Sequence, residues 1–188
     1  STMLNYLLPY EAWTEGPLGV LRKLRDPAVR RRCAQAIEND GTDFASIHIA
    51  WVMGKDNAKY QGRTLAEYIA AVKLPPVDAL CNLLIEENLA VLLVFHQGAD
   101  ELAHPFLQHK CYMMGTDGIF QPDSVIHPRQ YGSAARLLGA CVRDYGLFSL
   151  EEAVSKLSAL PADRFGLKRR GVVREGWFAD LVVFDSAT

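Results

Sequence analysis

Few side chains in this sequence are placed to do chemistry, and the most suggestive is Asp117. It stands in "GTDG" (115–118), where the apolar run 111–114 stops. A carboxylate at the end of a buried-looking strand must have its charge met. No basic residue is near it in sequence, so the partner is remote: water, an arginine or a metal ion. The flanking glycines leave room for a backbone or a ligand to approach. In parallel α/β folds the C-terminal ends of strands open onto the face that carries the chemistry. That makes Asp117 a candidate site residue, although "GTDG" alone fits an ordinary turn aspartate better.

The other reactive residue types form no local cluster. The histidines at 48, 96, 104, 109 and 127 contain no H-x-H pair, and Cys33, Cys81, Cys111 and Cys141 lie far apart in apolar surroundings. Zinc ribbons and redox motifs need close cysteine spacing, so these read as buried free thiols. The "RRR" at 30–32 fits a solvated helix face better than an anion site. With a formal net charge of -2 and a pI near 6.2, no basic stripe calls for a nucleic acid partner. No apolar stretch is long enough to span a bilayer, and "STMLNYLLPYEAW" lacks the layout of a signal peptide. The expected location is therefore the cytoplasm, with no membrane partner.

These residues need elements to hold them. With 188 residues, 49% of them hydrophobic, the chain has enough for one ordinary core. Between Gly16 and Gly41 the pattern is helical, with Asp26-Pro27 as N-cap and N1, Val29, Cys33 and Ile37 inward, and Gly41 as the stop. "ASIHIAWV" (45–52) reads as a strand with Ile47, Ile49 and Trp51 on one face and His48, a hydrogen-bonded structural histidine, on the other. Thr64 and Glu67 have capping-box spacing before Leu65, Ile69 and Val72. A further helix starts at Pro75-Pro76. "LAVLLVF" (89–95) is continuous, as in a parallel strand covered on both faces. With helical character at 99–108 and the run from Cys111, it predicts a βαβ unit. Helices are expected near 130–145 and 149–160, the second with a Ser149/Glu152 capping box. The tail "RGVVREGWFADLVVFD" (170–185) reads as a hairpin or sheet edge turning at Glu175-Gly176.

The order of "GTDG", "HPR" (127–129), "YGSAARLLG" (131–139), "GLFSLEEAVSKLSALPADRFGL" (146–167) and the tail resembles the C-terminal portion of the D-aminoacylases. These are the N-acyl-D-amino-acid deacylases of the metal-dependent amidohydrolase superfamily. "STMLNYLLPY", "RDPAVR" and "YQGRTLAEYIA" extend the likeness over nearly the whole chain. The resemblance implies an α/β fold: a partial (β/α)8 barrel with an inserted subdomain and a C-terminal β-tail from a small β-sandwich. It divides the chain into 1–97 (inserted subdomain and late-barrel segment), 98–168 (last barrel strand and closing helices) and 169–188 (β-tail). Such a barrel typically needs about 250 residues, so this chain cannot close one.

The same resemblance implies zinc-dependent hydrolysis of the amide bond of an N-acyl-D-amino acid. Asp117 would be the catalytic aspartate and a candidate zinc ligand, the family's metal-binding histidines lying outside this chain. Arg129 would grip the substrate carboxylate, with Ser1, Thr2 and His96 lining the pocket; methionines often stand where His96 and Gln97 are. The implied partner is a small N-acyl amino acid, and the incomplete barrel points to self-association. Two alternatives remain: a non-catalytic fragment or interaction domain, and a cyclic-amide hydrolase of hydantoinase or dihydroorotase type, which shares the final "EGWFADLVVFD".

Overall fold

The computed structural model describes residues 2–96 and 98–187. The chain divides into two compact units, Ser1–Gln97 with Ile119–His127 and Gly98–Gly118 with Pro128–Thr188.

In the first unit, helices α1 (Gly16–Lys23) and α2 (Pro27–Asp40) are separated where Asp26 turns the chain. Its carboxylate accepts from the backbone N–H of Ala28 at 2.7 Å, and the proline that follows presets the first turn of α2. α2 stops at Gly41, in left-handed conformation with φ 65°, as helix ends favour. Arg31 and Arg32 are exposed, but Arg30 turns inward to Asp78 and Asn82, each at 2.7 Å, and pins α2 to α4 (Pro76–Glu86). α3 (Leu65–Val72) carries the expected reciprocal cap: Thr64 accepts from the Glu67 N–H at 3.1 Å and Glu67 from the Thr64 N–H at 2.7 Å.

Strands β1 (Thr2–Met3), β2 (Ile47–Val52) and β3 (Val91–Phe95) form a sheet in the order β1-β3-β2, both pairings antiparallel. This corrects the parallel βαβ expectation. A continuous apolar run reports burial on two faces and says nothing of direction. Val91 and Leu93 face the main core with Ile47, Ile49 and Leu84, whereas Leu92 and Val94 pack with Ala50, Met3 and Trp51. Trp51 thus leaves the face expected of it, because the register shifts between Ile49 and Trp51. One extra residue reverses the side-chain alternation.

The second unit contains α5 (His104–Gln108), α6 (Arg129–Arg136), a wider π-helical continuation over Leu137–Asp144, α7 (Leu150–Leu157) and α8 (Ala159–Arg164). Its core gathers Leu137, Cys141, Phe148 and Ala153. Only half of the second expected capping box forms: Ser149 accepts from the Glu152 N–H at 3.1 Å, but the Glu152 carboxylate pairs instead with Lys156 at 3.3 Å. Two strand expectations fail. Residues 112–121 carry no strand, and the tail 170–187 forms none among the described residues. The tail's turn does form, with Trp177 N–H donating to Arg174 O at 3.1 Å and Gly176 at φ 75°. A strand needs a neighbouring backbone to satisfy its ladder, and among the described residues neither stretch is paired with one. Cys111 is exposed rather than buried, while the other cysteines are buried and free. Among the described residues no single helix is long and apolar enough to cross a membrane.

Candidate active site

The loop that carries Asp117 is built from three local constraints. The Gly118 N–H donates to Thr116 Oγ1 at 3.2 Å, which closes a tight turn around the aspartate. Asp117 itself adopts φ 44°, a left-handed conformation that aspartate tolerates better than most residues. Gly118 then lets the loop lie on the first turn of α6. A Cβ at 118 would stand 3.1 Å from Gln130 Cγ and 3.4 Å from Gln130 Cα. Gly115 has open space at the same test, so close approach is needed at one of the two glycines.

The consequence is an ion pair. Asp117 Oδ2 lies 2.8 Å from Arg129 Nη2, with the aspartate side chain 84% exposed and the arginine 26%. Of the three remote partners open to this carboxylate from sequence, the structure supplies the arginine. Arg129 is fixed from below: it begins α6 behind Pro128, and its carbonyl accepts from Ser133 Oγ at 2.6 Å. The N-terminal end of a helix favours a nearby anion as well. Beside this pair, Gln130 Oε1 is buried without a hydrogen-bond partner among the described residues. Sequence reasoning did not single out Gln130; its position after Arg129, on the turn beneath "GTDG", was the available signal.

The other residues that the resemblance assigns to the substrate, Ser1, Thr2 and His96, belong to the first unit. Thr2 pairs with Leu93 across β1 and β3. His96 is exposed at the end of β3, its N–H bonded to Ser46 O at 2.9 Å. Its ring meets that of His48 edge to face at 4.9 Å. His48 Nδ1 is buried without a hydrogen-bond partner among the described residues, which corrects the hydrogen-bonded histidine expected there. Ser1 and Gln97 lie outside the described residues.

A zinc ion takes three or four nitrogen, oxygen or sulfur ligands at roughly 2.0–2.3 Å. Among the described residues no three His, Cys, Asp or Glu side chains are grouped to hold a metal ion, and the Asp117 carboxylate is engaged by Arg129. The described residues do not fit a zinc ion by themselves.

An exposed acid–arginine pair on a glycine-docked loop could occur in many proteins; comparison with known proteins narrows the choice. The amidohydrolase family profile matches residues 30–188. The chain belongs to the amidohydrolase family. It is 39% identical over 142 residues to the N-acyl-D-glutamate deacylase of Alcaligenes xylosoxydans xylosoxydans, a match covering 76% of this chain and 28% of that enzyme. Among solved structures it resembles a D-aminoacylase described for its binuclear metal centre, with TM-score 0.64 and 35% identity over 74% of this chain and 28% of that one. It also resembles the N-acyl-D-glutamate deacylase of Bordetella bronchiseptica in complex with zinc and a phosphonate inhibitor that mimics the tetrahedral intermediate. That likeness has TM-score 0.65 and 29% identity, and covers 85% of this chain and 36% of that one. The chain therefore spans only about a third, or less, of the length of these relatives.

Proposed function

We propose that this chain is the C-terminal portion of a zinc-dependent N-acyl-D-amino-acid deacylase, to which it contributes Asp117 as proton carrier and Arg129 as carboxylate anchor. On this reading residues 1–97 are an inserted subdomain and late-barrel segment, 98–168 the last barrel strand with its closing helices, and 169–188 the tail of a small β-domain. The expected zinc is held by histidines outside this chain.

The observation that carries the reading is the 2.8 Å approach of Asp117 to Arg129. An N-acyl amino acid has its carboxylate carbon and its amide nitrogen on the same Cα, roughly 2.5 Å apart by standard bond geometry. A guanidinium that grips the carboxylate through its planar fork thus brings the scissile nitrogen close to any base beside that guanidinium. Asp117 is such a base. Its carboxylate can take the proton from the attacking water and pass it to the leaving nitrogen. The ion pair is largely exposed on the aspartate side, where screening keeps such pairs weak, so an incoming substrate carboxylate can take its place on Arg129.

Substituting Arg129→Ala in the complete enzyme should raise KM for N-acetyl-D-amino acids by about 10- to 100-fold, the value of one or two charge-assisted hydrogen bonds. The matching amides without a free carboxylate should be little affected. Equal losses on both substrate types would contradict carboxylate recognition.

A second reading, a non-catalytic portion that packs on a partner through its apolar tail, draws on Val183 at 99% exposed and its exposed neighbours Leu181 and Val182. Metal content and turnover separate the two uses of the chain. A purified 188-residue chain that bound one zinc and hydrolysed an N-acetyl-D-amino acid would exclude the non-catalytic reading.

A further inference from the structure

Lys156 is the largest fully buried side chain among the described residues, 1% exposed, on the inner face of α7. Burying an ammonium group is costly unless it is paired and hydrogen-bonded, and a methionine would fill the same space without that cost. Its contacts show where the charge is used. Nζ donates to His109 O at 2.9 Å, pairs with Glu152 at 3.3 Å, and stands 5.8 Å and 5.5 Å from the ring centres of Tyr112 and Phe148, a range that favours a cation. The carbonyl of the same residue accepts from the Met114 N–H at 3.2 Å. One lysine therefore fastens both ends of the stretch His109–Met114 to α7, the side chain at its start and the main chain at its end.

That stretch feeds directly into Asp117, and it has no strand ladder to fix its register. We propose that Lys156 is a positioning residue for Asp117: by clamping His109 and Met114 to α7 it sets the register that carries the carboxylate to Arg129. This assignment rests on the reading of Asp117 as proton carrier. An extended chain advances roughly 3.3 Å per residue, so a slip of one residue along α7 moves Asp117 out of hydrogen-bonding range of Arg129. Glu152 serves the clamp in turn, because it supplies the counterion that lets Lys156 remain buried.

The test compares Lys156→Met, Lys156→Arg and Asp117→Asn in the zinc-loaded complete enzyme, reading kcat and KM on an N-acetyl-D-amino acid together with amide hydrogen exchange along the chain. Lys156→Met should lower kcat about 10- to 100-fold, as misplacement of a reacting group does, with KM nearly unchanged. Exchange should quicken at Tyr112, whose N–H bonds the released His109 carbonyl, and, as the register loosens, at Met114 and the residues after it, while β2 and β3 stay protected. Lys156→Arg, which keeps the cation and a donor, should recover most of kcat. Unchanged kcat in Lys156→Met, or a loss accompanied by faster exchange throughout both units, would overturn the assignment. Should Lys156→Met fail to fold, Glu152→Gln must by itself quicken Met114 exchange and lower kcat, and no effect there overturns it too. Activity in Asp117→Asn would instead strike at the role of Asp117, a separate failure visible in a separate variant.

Discussion

In the first unit β3 has a backbone on either side, Thr2 and Met3 along one edge and Ile47–Val52 along the other. In the second, Cys111–Met114 is just as apolar in sequence, yet it runs without a ladder and is held to a helix by Lys156. The tail from Leu181 to Phe184 shows the same thing in stronger form, with four apolar residues exposed and unpaired among the described residues. Apolar composition buries a strand only where the chain also supplies its neighbours. The first unit contains its own partners; in the second, these segments have no neighbouring strand among the described residues. That contrast agrees with a chain spanning about a third or less of the length of its relatives.

The contrast can be broken by substitution. Leu93 is fully buried at the centre of the three-stranded sheet, and Leu93→Ala should destabilise the isolated chain by about 2–5 kcal/mol, as cavity-forming changes do. Urea unfolding would measure it, and a change under about 1 kcal/mol would mean that the first unit has no tight core. Thr64→Ala removes one half of the α3 cap and should cost about 1 kcal/mol in the same experiment. The smallest effect belongs to the tail. Val183→Lys should shift stability of the isolated chain by less than about 0.5 kcal/mol, because that side chain is 99% exposed. In the complete enzyme the same change should cost more, since a strand there would give Val183 neighbours. Equal effects in the two settings would contradict the proposal that the tail belongs to another sheet.

What the sequence made legible follows the same division. Helix starts and the stop at Gly41 were readable because their causes are local: Asp26-Pro27, Gly41 and the Thr64–Glu67 pair cap as their spacing predicts, and Ser149 caps α7 without the reciprocal half from Glu152. The direction of β3 was not, because a doubly covered strand looks alike in parallel and antiparallel sheets. Nor was the register shift that moves Trp51 to the opposite face, which depends on pairing across residues far apart in sequence. At the site, Asp117 was marked by its glycines, whereas Arg129 gained meaning only through the family likeness. Lys156 escaped notice although a sign was present: it sits three residues after the buried Ala153, on the apolar face of α7, where a lysine has no business unless something pairs with it.

The central claim is that the carboxylate at 117 moves the proton in amide cleavage. Its most direct test is Asp117→Asn in the complete zinc-loaded enzyme, assayed for turnover of an N-acetyl-D-amino acid alongside metal content. The account predicts turnover lowered by about 100-fold or more, in keeping with loss of general acid–base catalysis, with zinc still bound at the wild-type ratio. Wild-type turnover in that variant would contradict it.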